Sequence, residues 1–166
     1  MAEIESILKS KKKPKETLEL LVEALKKDES LISELIQCFE VGTAAEKGTC
    51  METIEYMTKE TPEFAEDCLD FVISHLNDDA PRVKWEASRI VGNVAHSYPD
   101  QVKSAIPKLL VNTSDKGTVV RWSAAFALTE IAKSNNEIRK ELAPEFTKIL
   151  EKEENNGVRN VYRQLK

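Results

Sequence analysis

Residues 83–97 have the sequence VKWEASRIVGNVAHS, which recurs 37 positions later as VRWSAAFALTEIAKS at residues 120–134. Val, Trp, Ala, Ala and Ser are identical at equivalent places, and Lys84 corresponds to Arg121. Self-similarity at a fixed period is the signature of a repeat architecture. We therefore take a unit of 37 residues as the basis of the fold.

The same offset extends beyond these two segments. Pro62 corresponds to Pro99, and Pro107 to Pro144. Backward along the chain, an apolar set matches residues 31–39 one period earlier: Cys68, Leu69, Val72, Ile73 and Leu76. Forward, Val120-Arg121 recurs 38 positions later as Val158-Arg159. The chain is therefore predicted to hold about four helix pairs and the opening helix of a fifth.

Each unit contains two helical patterns. The first is one apolar stripe at i, i+4, i+7, i+8 and i+11, made of Val83, Ala87, Ile90, Val91 and Val94. The second is the Cys68 to Leu76 stripe, and turn signals such as Thr61-Pro62 separate the two. We predict helices over 14–27, 30–41, 43–60, 62–77, 80–97, 100–113, 118–134, 137–153 and 156–165.

The pattern resembles that of the HEAT-repeat family. Its carriers are an Asp followed by Val-Arg/Lys and then by Ala and Leu, as in Asp115, Val120-Arg121, Ala124 and Ala127-Leu128. The resemblance implies an all-α, right-handed α-α superhelix of the HEAT/armadillo type, and the armadillo variant stays open. It also implies a polar ladder between neighbouring repeats, formed by Asp78, Lys84, Asp115, Arg121 and Arg159. Arg159 lacks an obvious aligned Asp, so its place in the ladder is open.

Composition narrows the class of function. Lys and Arg number 24 against 29 Asp and Glu, a net charge of −5, which does not favour nonspecific binding to phosphate backbones. No apolar run approaches the length of a membrane span, and the three cysteines lack metal-type spacing. We expect a cytoplasmic monomer with no cofactor, no metal and no membrane segment. It would comprise a basic, partly helical segment at 1–13 and one repeat domain at 14–166.

Two groups of side chains are candidates for binding a protein or peptide partner. The resemblance places second helices on a concave side, where the face opposite the apolar stripe carries Asp67, Asp70 and Ser74. Trp85 and Trp122 occupy equivalent positions opposite the core stripe of their helices, near Arg89, and Trp and Arg are frequent interface residues. Solvation of the first group and lateral packing of the tryptophans are the structural alternatives.

Other sequence features give weaker indications of a binding or catalytic function. The run Lys9–Lys15 is a targeting signal, a phosphate-seeking arm or a solvated tail. His75 and His96 have no metal-ligand spacing, and we find no nucleophile or phosphate-binding motif.

The leading hypothesis is a non-catalytic protein-interaction scaffold. The alternatives are a nucleic-acid-binding protein of the alkyl-base DNA glycosylase type, suggested by Trp85, Trp122, Arg121 and Asp115, and a bilin-lyase-like protein.

Overall fold

A computed structural model describes residues 2–165. The described residues exclude Met1, with which the predicted segment 1–13 begins, and Lys166, with which the predicted domain 14–166 ends. Across the described part the fold is all-α, and no helix in it is long and apolar enough to cross a membrane. The helices are α1 (Glu3–Leu8), α2 (Pro14–Lys27), α3 (Ile32–Val41), α4 (Ala44–Glu60), α5 (Leu69–Ser74), α6 (Pro81–Val94), α7 (Ile106–Asn112), α8 (Thr118–Ser134), α9 (Asn136–Lys152) and α10 (Asn156–Arg163).

The helices form two layers. In the first layer α2, α4, α6, α8 and α10 follow one another, each packed against the next. The second helices α3, α5 and α7 each contact the first helix that follows them, and α9 packs against α8 and α10. This succession of helix pairs confirms the predicted α-solenoid.

The two tryptophan-bearing helices, α6 and α8, lie side by side and run in the same direction. Three cross-helix contacts show this: Arg89 with Trp122, Gly92 with Phe126, and His96 with Glu130. In each pair the second residue lies 33 or 34 positions later in the chain. A constant offset of this kind is possible only if the helices are parallel.

Local capping chemistry fixes where several helices begin. Thr43 and Glu46 form a reciprocal capping box at the start of α4. Asn135 accepts hydrogen bonds from the first backbone N–H groups of α9, and Asn155 does the same for α10. Pro14 and Pro81 occupy first helical positions, where the missing N–H costs nothing.

The second helices are less regular than predicted. The helices expected over 62–77 and 100–113 each divide into a 3-10 segment, Pro62–Asp67 or Gln101–Ala105, followed by the short α5 or α7. Cys68 interrupts the first with φ −134°. Pro107 interrupts the second because it has no N–H to bond to Lys103. Another 3-10 segment, Glu29–Leu31, precedes α3.

A helix that precedes the repeats joins them at the N-terminal end. Ile4 of α1 is fully buried, and α1 packs against both α2 and α3. Lys9, just after α1, pairs with Glu46 of α4 at 2.9 Å. Within the predicted segment 1–13, residues 3–8 are thus helical and Lys9 contacts α4, whereas Lys11–Lys13 are exposed.

One continuous apolar core runs between the layers from Ile4 to Tyr162. In each repeat the first helix supplies the stripe expected from the sequence. In α6 this stripe is entirely buried: Val83, Ala87, Ile90, Val91 and Val94. Leu128 of α8 is the equivalent of Val91 and is fully buried as well.

Leu128→Ala tests this core. Truncating a fully buried Leu loses its transfer free energy and leaves a cavity, so the free energy of unfolding should fall by about 2–5 kcal/mol in urea denaturation. Val119→Ala on the same helix is the matched control, because Val119 is 43% exposed. A loss below about 0.5 kcal/mol for Leu128→Ala would mean that α8 is rotated about its axis relative to this description.

Candidate interaction surfaces

An aromatic and cationic cluster lies on the outer surface of the first layer. At roughly 100° per residue, Trp85 is on the side of α6 opposite Val83, and it is half-buried. Trp122 is also half-buried and packs against the core. Its ring stacks on Phe126 with centroids 5.8 Å apart and an interplanar angle of 10°. The Arg89 guanidinium lies 5.4 Å from the centroid of the Trp122 ring, a cation–π distance.

Gly92 permits the close approach of α6 and α8 beneath this cluster. A Cβ atom at residue 92 would lie 2.4 Å from Cε2 of Phe126, well inside van der Waals contact. The Phe126 ring therefore fills the space that a side chain on α6 would occupy. Because Phe126 stacks on Trp122, this contact also sets the position of the Trp122 ring.

Polar contacts join α4 to α6 on the same layer. Arg82 pairs with Glu52 at 2.6 Å. The Asn93 amide nitrogen lies 2.9 Å from Oε2 of Glu55, 3.2 Å from the Glu55 carbonyl and 3.3 Å from Oγ1 of Thr58. Glu55 is only 6% exposed, and this amide supplies hydrogen bonds that a buried carboxylate requires.

The contact between α4 and α6, here called the polar seam, includes a buried carboxyl group that lacks a full set of hydrogen-bond partners. This group is Glu86. It is 4% exposed, and its Oε1 has no hydrogen-bond partner in the described chain. Burial raises the pKa of Glu86 to about 7, and the carboxylates of Glu52 and Glu55 add to the shift. Nε of Arg89, one turn further on, is also buried without a partner. Two buried polar atoms of the seam, Oε1 of Glu86 and Nε of Arg89, thus lack a hydrogen-bond partner among the described residues.

The second layer carries an acidic surface. Asp67 and Asp70 are exposed near the start of α5, with no cation of residues 2–165 within ion-pair distance. Ser74 is exposed, but its Oγ donates to the Phe71 carbonyl at 2.6 Å. Burial, followed by Glu66, Glu63 and Asp67, raises the pKa of Tyr98. The carboxylates of Glu63, Glu66 and Asp67 thus lie close enough to Tyr98 to affect the ionisation of its hydroxyl group.

The six predicted partner-binding residues therefore fall into two groups. Trp85, Arg89 and Trp122 belong to the first layer, where Arg89 lies over the Trp122 ring and Trp85 is four residues before Arg89 on α6. Asp67, Asp70 and Ser74 belong to the second layer, on another element of the fold. A single compact partner surface cannot include all six.

The predicted ladder has a repeated acidic element. Asp78, Asp115 and Glu153 stand just before successive first helices. Each accepts a hydrogen bond from the backbone N–H two residues later, at 2.9, 2.8 and 3.0 Å. Glu153 therefore occupies the place where the sequence shows no aligned Asp.

Cations of one repeat reach the acid of the next. Lys84 pairs with Asp115 at 2.8 Å, and Arg121 pairs with Glu153 at 2.8 Å. Arg121 also donates to the Asp115 carbonyl at 3.1 Å. Arg159, in the last repeat, donates to the carbonyls of Leu150 and Glu153.

Asp78 takes a different partner. Its carboxylate faces His75 at 3.3 Å rather than a cation of a neighbouring repeat. The ion pairs of the ladder, Lys84–Asp115 and Arg121–Glu153, thus join the repeats from α6 onward.

These pairs hold two acids ionised. Burial opposes ionisation of Asp115, but hydrogen bonds from Lys84 and Gly117 outweigh it and lower the pKa of the carboxyl group. Glu153 is in the same situation: burial opposes ionisation, and the bonds from Arg121 and Asn155 lower its pKa. Both acids act as inter-repeat connectors.

Comparison with known families matches this geometry. A family model described as a HEAT-like repeat matches residues 81–131, which span α6, α7 and most of α8. Residues 81–131 are therefore similar to a HEAT-like repeat. The match covers both tryptophans and the Lys84–Asp115 pair, the segment in which the internal repeat is clearest.

The chain is also similar to a curated protein, the AP-3 complex subunit delta-1 of Bos taurus. The two are 28% identical over 98 residues, which is 59% of this chain and 8% of the relative. The chain thus spans a small fraction of that protein.

The sequence pattern did not single out the buried polar contacts between α4 and α6. Glu86 aligns with Ser123 one period later, and both are buried, Glu86 at 4% exposure and Ser123 at 0%. Cys50 and Cys68 are buried as expected, and burial raises the pKa of each to about 12. Within residues 2–165, no three His, Cys, Asp or Glu side chains are grouped so as to hold a metal ion.

The glycosylase comparison rested partly on Asp115 and Arg121. Both are engaged in the inter-repeat ion pairs with Lys84 and Glu153. Their geometry therefore gives that alternative no support.

Arg121→Met tests the ladder. Removing the cation leaves the Glu153 carboxylate, whose side chain is 4% exposed, buried without its partner, at a cost of about 3–5 kcal/mol in unfolding free energy. Lys84→Met should cost less, about 1–3 kcal/mol, because Asp115 stays more accessible to water. If chemical denaturation shows an equal and negligible loss of unfolding free energy for both variants, the ladder is not a source of stability.

Glu86→Gln tests whether ionisation of the buried Glu86 carboxyl group lowers the stability of the folded chain. The raised pKa means that the folded state retains a proton which the unfolded state releases near its ordinary value of 4.5. Stability from this group is therefore present below about pH 4.5 and is lost as the pH rises through about 7. At pH 8 the Gln variant should be more stable than wild type, by up to about 3 kcal/mol.

Thermal unfolding at pH 5 and pH 8 measures this difference. The gap between Glu86→Gln and wild type should widen toward pH 8. Glu141→Gln, an exposed carboxylate on α9, is the control and should follow wild type at both values. A gap that is the same at pH 5 and pH 8 would show that Glu86 does not titrate in this window.

Proposed function

We propose that this chain is a non-catalytic scaffold for protein–protein interaction. Stacked helix pairs form a rigid core with extended surfaces, so a partner can bind without reorganising the backbone. The curated relative is a subunit of a complex by its own name, which supports an assembly role for the shared segment. In this proposal the chain acts as a cytoplasmic monomer without a cofactor, and its partner is a protein or peptide.

The observation that carries the proposal is the arrangement of Trp85, Arg89 and Trp122 on the outer surface. Arg89 already lies over Trp122, whose ring is fixed by Phe126. Side chains restrained before binding lose little conformational entropy on association. Half-buried Trp and Arg side chains are the residue types that most often dominate interface energetics.

The acidic surface of the second layer is a further part of the proposal. Asp67 and Asp70 are exposed and without a cationic neighbour among the described residues. Unpaired carboxylates of this kind favour a partner segment containing Lys or Arg and increase its association rate. This surface would hold a second contact, separate from the tryptophan cluster.

Affinity capture tests the scaffold role. Wild type, Trp85→Ala, Arg89→Ala and Asp67→Asn/Asp70→Asn are used as baits against native lysate, with quantitative mass spectrometry. We expect at least one partner to be captured by wild type and reduced about tenfold by Trp85→Ala or Arg89→Ala, which corresponds to about 1.4 kcal/mol. Trp122 is left unchanged because it packs against the core.

Lys140→Ala, an exposed position on α9, is the matched control. Circular dichroism and the melting temperature confirm that each variant is folded. Capture that is unchanged by every surface variant, or absent for wild type, would contradict the proposal.

A further inference from the structure

A second surface lies at the N-terminal end of the first layer. An open groove of about 580 Å³ lies along α2, and Tyr56 of α4 forms its other side. Its apolar lining consists of Leu18, Val22 and Tyr56. Tyr56 is 39% exposed, whereas Val22, at the floor, is 7% exposed. The groove thus presents recessed apolar surface with an aromatic side chain at its edge.

The charges along the groove are partly neutralised at one end. Lys26 pairs with Glu60 and Lys27 with Glu23, both at 3.3 Å. These pairs close the end formed by the last turn of α2. The cations there are therefore not available to a ligand without breaking an existing contact.

The other end of the groove is rich in lysine, although the exposed Glu19 also lines the groove. Lys15 lines the groove, and Lys11, Lys12 and Lys13 directly precede it. All four are exposed, and no carboxylate of residues 2–165 lies within 4.0 Å of their amino groups. The chain as a whole has a net charge of −5, so this cluster is a local exception.

The lysines are presented by a defined turn. Lys11 has φ 59°, in the left-handed region that a side chain other than Gly seldom adopts. On the α1 side, the Lys9–Glu46 ion pair ties the turn to α4. On the other side, Lys13 directly precedes α2. Lys15 lines the groove, and the turn places the other three lysines directly before it in the chain.

We propose that this groove binds an acidic protein segment, with one apolar side chain inserted between α2 and α4 and carboxylates placed against Lys11–Lys15. The apolar floor supplies burial and the lysine cluster supplies charge complementarity. A bilayer surface fits less well, because it cannot reach the recessed Val22, whereas a side chain on a narrow segment can. The surface is separate from the tryptophan cluster, so this inference does not depend on binding there.

Selection from a random dodecapeptide library displayed on phage, with the full chain immobilised, tests this inference. Enriched peptides are synthesised and their affinities measured by fluorescence anisotropy. We expect them to combine several Asp or Glu residues with Leu or an aromatic residue. Binding should weaken as salt rises, since the lysines are exposed.

Two variants locate the site. Tyr56→Ala removes the exposed aromatic edge, and Lys11→Glu/Lys12→Glu/Lys15→Glu reverses the charge at the mouth. Each should weaken the enriched peptides about tenfold or more. Lys140→Glu/Lys148→Glu/Lys152→Glu on α9 makes the same change in net charge at exposed positions and should retain affinity within about twofold.

Several results would overturn the inference. These are enrichment of basic or uncharged peptides, no enrichment above the uncoated surface, or equal affinity for the groove variants and wild type. Co-sedimentation with phosphatidylserine vesicles in the absence of acidic peptide binders would assign the surface to a membrane instead. Trp85→Ala should leave peptide binding intact, so failure at the groove and failure at the tryptophan cluster are distinguishable.

Discussion

The parallel packing of neighbouring first helices is the constraint on which the rest of this structure depends. Gly92 leaves room for Phe126 on the next helix, and the Phe126 ring in turn supports Trp122 and Arg89. The same packing brings Lys84 to Asp115 across the gap between repeats. Core, ladder and outer surface are therefore consequences of one lateral contact, repeated along the chain.

Polar groups at this contact serve two different ends. The ladder acids Asp115 and Glu153 are matched with cations and with backbone N–H groups. On α6, Oε1 of the buried Glu86 and Nε of the half-buried Arg89 have no hydrogen-bond partner among the described residues. A buried polar atom without a partner costs free energy of folding.

The 37-residue period predicted the helix pairs and the parallel placement of α6 and α8, because periodic apolar residues define both the helix and its buried side. It did not predict the 3-10 segments, which depend on the backbone conformation at Cys68 and on Pro107. Nor did it predict the burial of Ile4 or the groove at Tyr56. Those features arise where α1 and α2 meet the repeats, outside the part of the sequence in which the period is clear.

The contact between α6 and α8 is directly measurable by NMR in the isotopically labelled chain. Parallel packing predicts a strong nuclear Overhauser effect between the Gly92 α-protons and the Phe126 ring, and an upfield ring-current shift of those protons. It also predicts an effect between the side chains of His96, in the turn just after α6, and Glu130 of α8. Absence of the Gly92–Phe126 effect in the folded protein, with Phe126 instead contacting only second-layer residues, would contradict the parallel stacking of the first helices.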